Sequence, residues 1–205
     1  RRLTLVSSGE GASLDVSRAR LSLSQVVFRP GPKGAGLAMD GGSLSAAECR
    51  WEGGRAGVTA MGGAFLKISG GVLSGLEEGL AVLGAGSNAE LSLVKVQGGK
   101  NGLVVQGGGR LKADSPELKD LRECAFKASD KDSLLTVTQA RISGNGKGAC
   151  LLDSARASFS DSAFFDNVRH ALVVEGGAAA SAVKSTFLRN GQVAVSVSGG
   201  GSVQF

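Results

Sequence analysis

The feature that most limits what this chain can fold into is a repeat of 22 to 23 residues that runs along its length. One column of apolar residues, each opening a short alternating segment, runs Leu14, Leu37, Val58, Leu80, Leu103, Phe126, Cys150, Leu172 and Val195. A second column consists of apolar pairs two residues apart: Leu21/Leu23, Leu44/Ala46, Leu66/Ile68, Leu91/Leu93, Leu111/Ala113, Leu135/Val137, Ala157/Phe159, Ala180/Ala182 and Val203/Phe205. A third, bulkier column runs Leu5, Phe28, Trp51, Leu73 and Val96, then Ile142, Phe165 and Phe187, with residues 116–123 in the missing place and Leu118 the nearest match. Apolar residues at i and i+2 mark strands with one buried and one exposed face, not helices.

Turn residues separate the strands. Gly41-Gly42, Gly62-Gly63, Gly107-Gly108-Gly109, Gly176-Gly177 and Gly199-Gly200-Gly201 follow the first strand of their repeats, and Ser129-Asp130-Lys131-Asp132 fills that place in the sixth. Asn145, Asn167 and Asn190 precede the first strand of the following repeat, where they can stack as a ladder. Such a unit has little apolar surface of its own. It buries that surface only by coiling, so that equivalent strands stack in parallel at about 4.8 Å. The pattern predicts an all-β, single-domain parallel β-helix over residues 1–205, a solenoid of about nine coils and roughly 40 Å long at that spacing. The least regular stretch, 114–132, is charged and carries Pro116; it reads as a coil whose third face becomes a loop or a helical turn.

Composition excludes several other classes. The 33 glycines follow no three-residue period, so the chain is not collagen, and no apolar run is long enough for a spanning helix. Lys and Arg number 23 against 18 acids, a modest bias toward anionic partners. Cys49, Cys124 and Cys150 show no CxxC or Cys/His spacing and read as free thiols, which favour a reducing compartment only weakly. The chain starts at Arg1-Arg2-Leu3 and stops at Phe205 inside an alternating pattern, and so reads as a fragment of a longer one.

The stretch Leu151-Leu152-Asp153-Ser154-Ala155-Arg156-Ala157-Ser158-Phe159-Ser160-Asp161-Ser162-Ala163-Phe164-Phe165-Asp166-Asn167 carries a resemblance, as do Ala171–Gly177 and Ser185–Gly191. They resemble the generic repeats of the right-handed parallel β-helix repeat family, in the pectin-lyase-like superfamily. Right-handedness comes from that resemblance and from the general preference of parallel crossovers. The resemblance implies a choice among polysaccharide lyases, glycoside hydrolases, sugar epimerases, phage and adhesin stalks, and modules without activity. A shared fold does not decide among them. The Asn-Thr-Asp, Asp-Asp, Gly-His-Gly and Arg-Ile-Lys stretches of its hydrolases are absent, and the lone histidine lies in Arg169-His170-Ala171.

Counting one period onward assigns neighbours to outward acids. Asp161 falls beside Lys184 and Asp166 beside Arg189, which predicts surface ion pairs. Asp153 and Glu175 are 22 residues apart, each three after its coil's opening residue, so they form the strongest acidic pair for catalysis or Ca²⁺, with Arg156 or Lys184 nearby. Arg20, Arg110 and Arg156 share one position ahead of the second strand, an interrupted basic stripe for an anionic polymer. Trp51 belongs to the core, and with no Tyr and most of the eight Phe in core columns, no nucleic acid is expected. No cofactor other than Ca²⁺ is suggested. These features favour a non-catalytic scaffold or binding module for a protein or a polysaccharide. The alternative is a carbohydrate-active enzyme, and the open C-terminal coil offers end-to-end self-association as a further reading.

Overall fold

The computed structural model describes residues 3–205; Arg1 and Arg2 lie outside the described residues. The chain winds into a right-handed parallel β-helix of about nine coils, every ladder of which is parallel. Nine strands make one sheet: Arg20–Ser24, Ser43–Ala47, Phe65–Ser69, Asn88–Ser92, Arg110–Asp114, Leu134–Thr138, Arg156–Ser160, Ala179–Val183 and Ser202–Gln204. The other two ladders count as one 16-stranded sheet, because Val72–Leu83 and Lys95–Gln106 run through the corner between them without a break. Among the described residues no helix is long and apolar enough to cross a membrane.

The core is a single column of inward side chains from all three ladders. Trp51 is fully buried and stacks on Phe28 at 5.6 Å, and Phe164 stacks on Phe187 at 5.0 Å. Space beside these rings is tight: a Cβ on Gly36 would meet Trp51 Cδ1 at 2.5 Å, so only glycine lets that strand lie against the indole. Among the described residues Trp51 Nε1 finds no acceptor, a cost of about 1–3 kcal/mol that the burial of a whole indole offsets.

The three predicted columns are present, with single-residue corrections in each. In the first, Ala149 rather than Cys150 faces the core, pairing with Phe126 and Leu172. In the second, the inward pair is Ala89/Leu91, whereas Leu93 turns outward at positive φ and is exposed. In the third, Phe164 is the buried residue, and Phe165 lies outside under the Arg141 guanidinium. In the first and third columns a residue of equal or greater bulk stands next to the buried one, and strand alternation decides between them; in the second, Leu93 lies just past the end of the strand, where the positive-φ turn rotates it outward.

The stretch 114–132 is a regular coil, not a loop or helical turn. Glu117–Lys119 is a strand whose Leu118 is buried between Val96 and Ile142, and Cys124–Ala128 continues the next ladder. Pro116 is accommodated just ahead of that strand, with its carbonyl accepting from Arg141 N. The asparagine ladder is present too: Asn145 Nδ2 donates to Asn167 Oδ1 at 3.0 Å, and Asn167 Nδ2 to Asn190 Oδ1 at 2.9 Å.

The cysteine reading needs correction. Cys124 and Cys150 form a disulfide between successive coils, and only Cys49 is free and buried. Cys150 faces away from the core, which is what brings its sulfur to Cys124. Burial pushes the Cys49 thiol above its ordinary range.

Candidate ligand-binding face

The nine-stranded sheet is covered by the core on one side only. Alternation along each five-residue strand buries the second and fourth residues and turns the first, third and fifth outward. The first outward row, read coil by coil, is Arg20, Ser43, Phe65, Asn88, Arg110, Leu134, Arg156, Ala179 and Ser202. The central row is Ser22, Ser45, Lys67, Glu90, Lys112, Thr136, Ser158, Ser181 and Gln204. Small serine and threonine side chains dominate, so the larger ones stand proud and leave shallow depressions between them.

Those depressions follow one another along the solenoid. One is lined by Arg20, Ser22, Ser43, Ser45, Phe65 and Lys67, and the next by Phe65, Asn88, Glu90, Arg110, Lys112, Leu134 and Thr136. A third lies between Leu134, Arg156, Ser158, Ser181 and Gln204. Together they form an open trough running across the strands. Phe65 and Leu134, 39% and 36% exposed, are its apolar contact points. Its charges are Arg20, Lys67, Arg110, Lys112 and Arg156, with Glu90 between the two lysines and Asp114 at one margin. Asp114 is engaged, accepting from Thr138 Oγ1 at 2.7 Å. Among the described residues none of the five cations forms an ion pair.

Of the residues singled out in the sequence, Arg20, Arg110 and Arg156 do share one row of this sheet, each as the first residue of its strand. Asp153 and Glu175 lie off it, at the turn that enters the sheet. The ladder there has a register of 23 residues, Cys150 opposite Val173 and Leu151 opposite Val174. Carried onward, it places Asp153 beside Gly176 rather than Glu175, and a Cβ on Gly176 would lie 3.2 Å from Asp153 Oδ1. The two acids are therefore diagonal neighbours. The 22-residue count came from taking Cys150 as the inward residue of its strand.

Lys184 and Asp161 occupy equivalent single-residue turns, both at φ 50°, on the far side of the sheet from Asp153, but among the described residues the ion pair predicted between them does not form. Asp166 and Arg189 form the predicted ion pair, bidentate at 2.8 and 2.9 Å, and the guanidinium holds the Asp166 carboxyl below its ordinary range. His170 sits in a turn with Nδ1 3.1 Å from the Val193 carbonyl oxygen. Among the described residues, no cluster of three or more His, Cys, Asp or Glu could hold a metal ion.

Sequence reasoning missed Phe65, Lys67, Glu90, Lys112 and Leu134. The signal was available, since each flanks an inward residue of the second column and must point outward by alternation.

Residues 78–205, more than half the chain and most of this trough, match the family model described as the right-handed beta helix region. The chain belongs to the right-handed β-helix family. Comparison with curated proteins and with solved structures finds no match. Membership settles the fold of this β-helix and leaves its chemistry to the site itself. A flat, polar, weakly basic trough with two apolar contact points can hold an extended polar chain by many small contacts, with the chain lying along the solenoid axis.

Proposed function

We propose that this β-helix is a non-catalytic binding module that holds an extended polysaccharide along the outer face of its nine-stranded sheet. The observation that carries this reading is the continuity of the trough, whose depressions succeed one another from Arg20 to Gln204. A polymer repeats at short intervals and so meets a repeating surface in the same way at several coils. Sugar rings offer apolar C–H faces to Phe65 and Leu134 and hydroxyls to the serine and threonine rows. The acids favoured for catalysis are offset by one register position and lie at a turn beside the trough, which supports holding rather than cutting.

The test is incubation with neutral and acidic polysaccharides, with and without Ca²⁺, following binding and chain cleavage together. Binding without cleavage, weakened roughly tenfold by Phe65→Ala, is the expected result; a tenfold loss corresponds to about 1.4 kcal/mol. Cleavage abolished by Asp153→Ala would turn the reading to the enzyme, with Glu175, Arg156 and Lys184 as the next residues to replace.

A further inference from the structure

The cations of the trough are not spread evenly along it. Numbering its strands from Arg20–Ser24, cations stand on the first (Arg20), third (Lys67), fifth (Arg110 and Lys112) and seventh (Arg156). The second, fourth, sixth and eighth carry none on their outward positions. The fourth carries the opposite charge, Glu90, directly between Lys67 and Lys112 in the ladder, and the other outward acid, Asp114 at the margin of the fifth, is engaged by Thr138 Oγ1. From the first strand to the seventh, positive charge therefore recurs every two coils, about 9.5 Å at the spacing of parallel strands, and the ninth, Ser202–Gln204, carries none.

This spacing has a chemical counterpart. In an extended polysaccharide each ring advances the chain by about one strand spacing, so two coils match one disaccharide. We propose that the ligand is a polysaccharide with one acidic group per disaccharide, an acidic sugar alternating with a neutral one, seated with its acids over the odd strands and its neutral rings over the even ones. The proposal rests on the reading of this face as a polysaccharide site and adds the charge pattern of the polymer. An acid on every ring would gain nothing from the extra charges. Those over the even strands meet Ser45, Thr136 or Ser181 rather than a cation, meet Glu90 on the fourth, or turn away to solvent. The carboxylate of Glu90 thus selects against a uniformly acidic chain while leaving an alternating one its ion pairs.

The deciding variant moves one cation by one coil without changing the net charge. Ser45 and Lys67 are exposed neighbours in the central row, so Lys67→Ser with Ser45→Lys shifts a charge from an odd strand to an even one. Hyaluronan oligosaccharides that span Arg20 to Arg156 serve as the alternating probe, polygalacturonate of equal length as the uniform one, and a neutral glucan as the control. The wild-type protein should bind hyaluronan at least as tightly as polygalacturonate, despite the lower charge density. The double variant should lose about fivefold for hyaluronan, the size of one exposed ion pair, with an unchanged thermal midpoint. Equal binding of hyaluronan by both proteins, or a tenfold preference for polygalacturonate, would overturn the charge pattern and leave the polysaccharide site standing. Binding of the neutral glucan alone would likewise overturn only the pattern, whereas no binding of any probe would remove both.

Discussion

Two halves of the solenoid turn the same corner with different side chains. In seven successive coils the corner is entered by a residue at positive φ: Gly53, Gly75, Gly98, Asp120, Gly144, Asp166 and Arg189. The residue that follows is Gly54, Leu76, Gly99 or Leu121 in the earlier coils, and the two leucines are buried in the core. In the later coils it is Asn145, Asn167 or Asn190, each bonded to backbone carbonyls and to its stacked neighbour. The backbone path is set by the positive-φ residue and the ladders on either side. What fills the inside of the corner is then free to be apolar, or polar if every group is paired. At the junction the two solutions meet, for Leu121 N donates to Asn145 Oδ1 at 3.0 Å, and the Cys124–Cys150 disulfide spans the same pair of coils.

The sharpest way to break this comparison is Asn167→Ala. It leaves Asn145 N without its acceptor and removes the bonds of Asn167 to Asn145 Nδ2, which keeps the Leu118 carbonyl, to the Ile142 carbonyl and to Asn190 Oδ1; one buried orphan at ~1–3 kcal/mol and three further bonds at ~0.5–1.5 kcal/mol each should together lose about 4 kcal/mol in denaturant titration. Asn167→Leu, which copies the leucine of the earlier corners, should lose nearly as much. Recovery with leucine would mean that filling the corner matters more than pairing its polar groups.

Next in size is the staple at the junction. Replacing both Cys124 and Cys150 by alanine frees a 26-residue separation, and loop-closure entropy predicts a loss of about 3.5 kcal/mol by chemical denaturation. A smaller contrast lies within the earlier half. Gly75 and Gly99 both have positive φ, but a Cβ on Gly75 finds its nearest atom at 4.0 Å, whereas one on Gly99 runs into the Leu76 carbonyl. Gly75→Ala should cost only the left-handed backbone term, about 1 kcal/mol, and Gly99→Ala about 2 kcal/mol or more. Equal losses would show that the coils can spread to admit a methyl group.

The period, the parallel coils and the asparagine ladder were legible in the sequence because each is enforced at every coil, so a doubtful repeat is corrected by its neighbours. Single columns were not so protected. Phe164 and Phe165 are the same residue type, Ala149 is less apolar-looking than Cys150, and Leu93 outweighs Ala89, so hydrophobicity alone chose the wrong one. A one-residue slip exchanges the two faces of a strand. The slip at Cys150 hid the disulfide, by placing an outward sulfur in the core, and it also created the apparent pairing of Asp153 with Glu175. The trough was hidden for another reason. Its residues are ordinary in type, and only their place by strand number makes them a pattern.

The smallest expected effect concerns the entrance to the corner rather than its inside. Asp166 and Arg189 hold the same positive-φ position in successive coils, and their bidentate contact keeps the Asp166 carboxyl below the ordinary carboxylate range. A carboxyl depressed in the folded state favours folding above its unfolded-state pKa, and loses that contribution as pH falls through its depressed value. Asp166→Asn should therefore lower stability slightly at neutral pH and leave it unchanged at pH below the depressed value, where the wild-type carboxyl is already protonated. Both residues are well exposed, so solvent and salt weaken the contact. The difference between variant and wild type should shrink further when the neutral-pH titration is repeated in high salt. A difference that persisted in acid would assign the role of Asp166 to the shape of the turn, which asparagine and aspartate adopt more readily than other residues, and not to its charge.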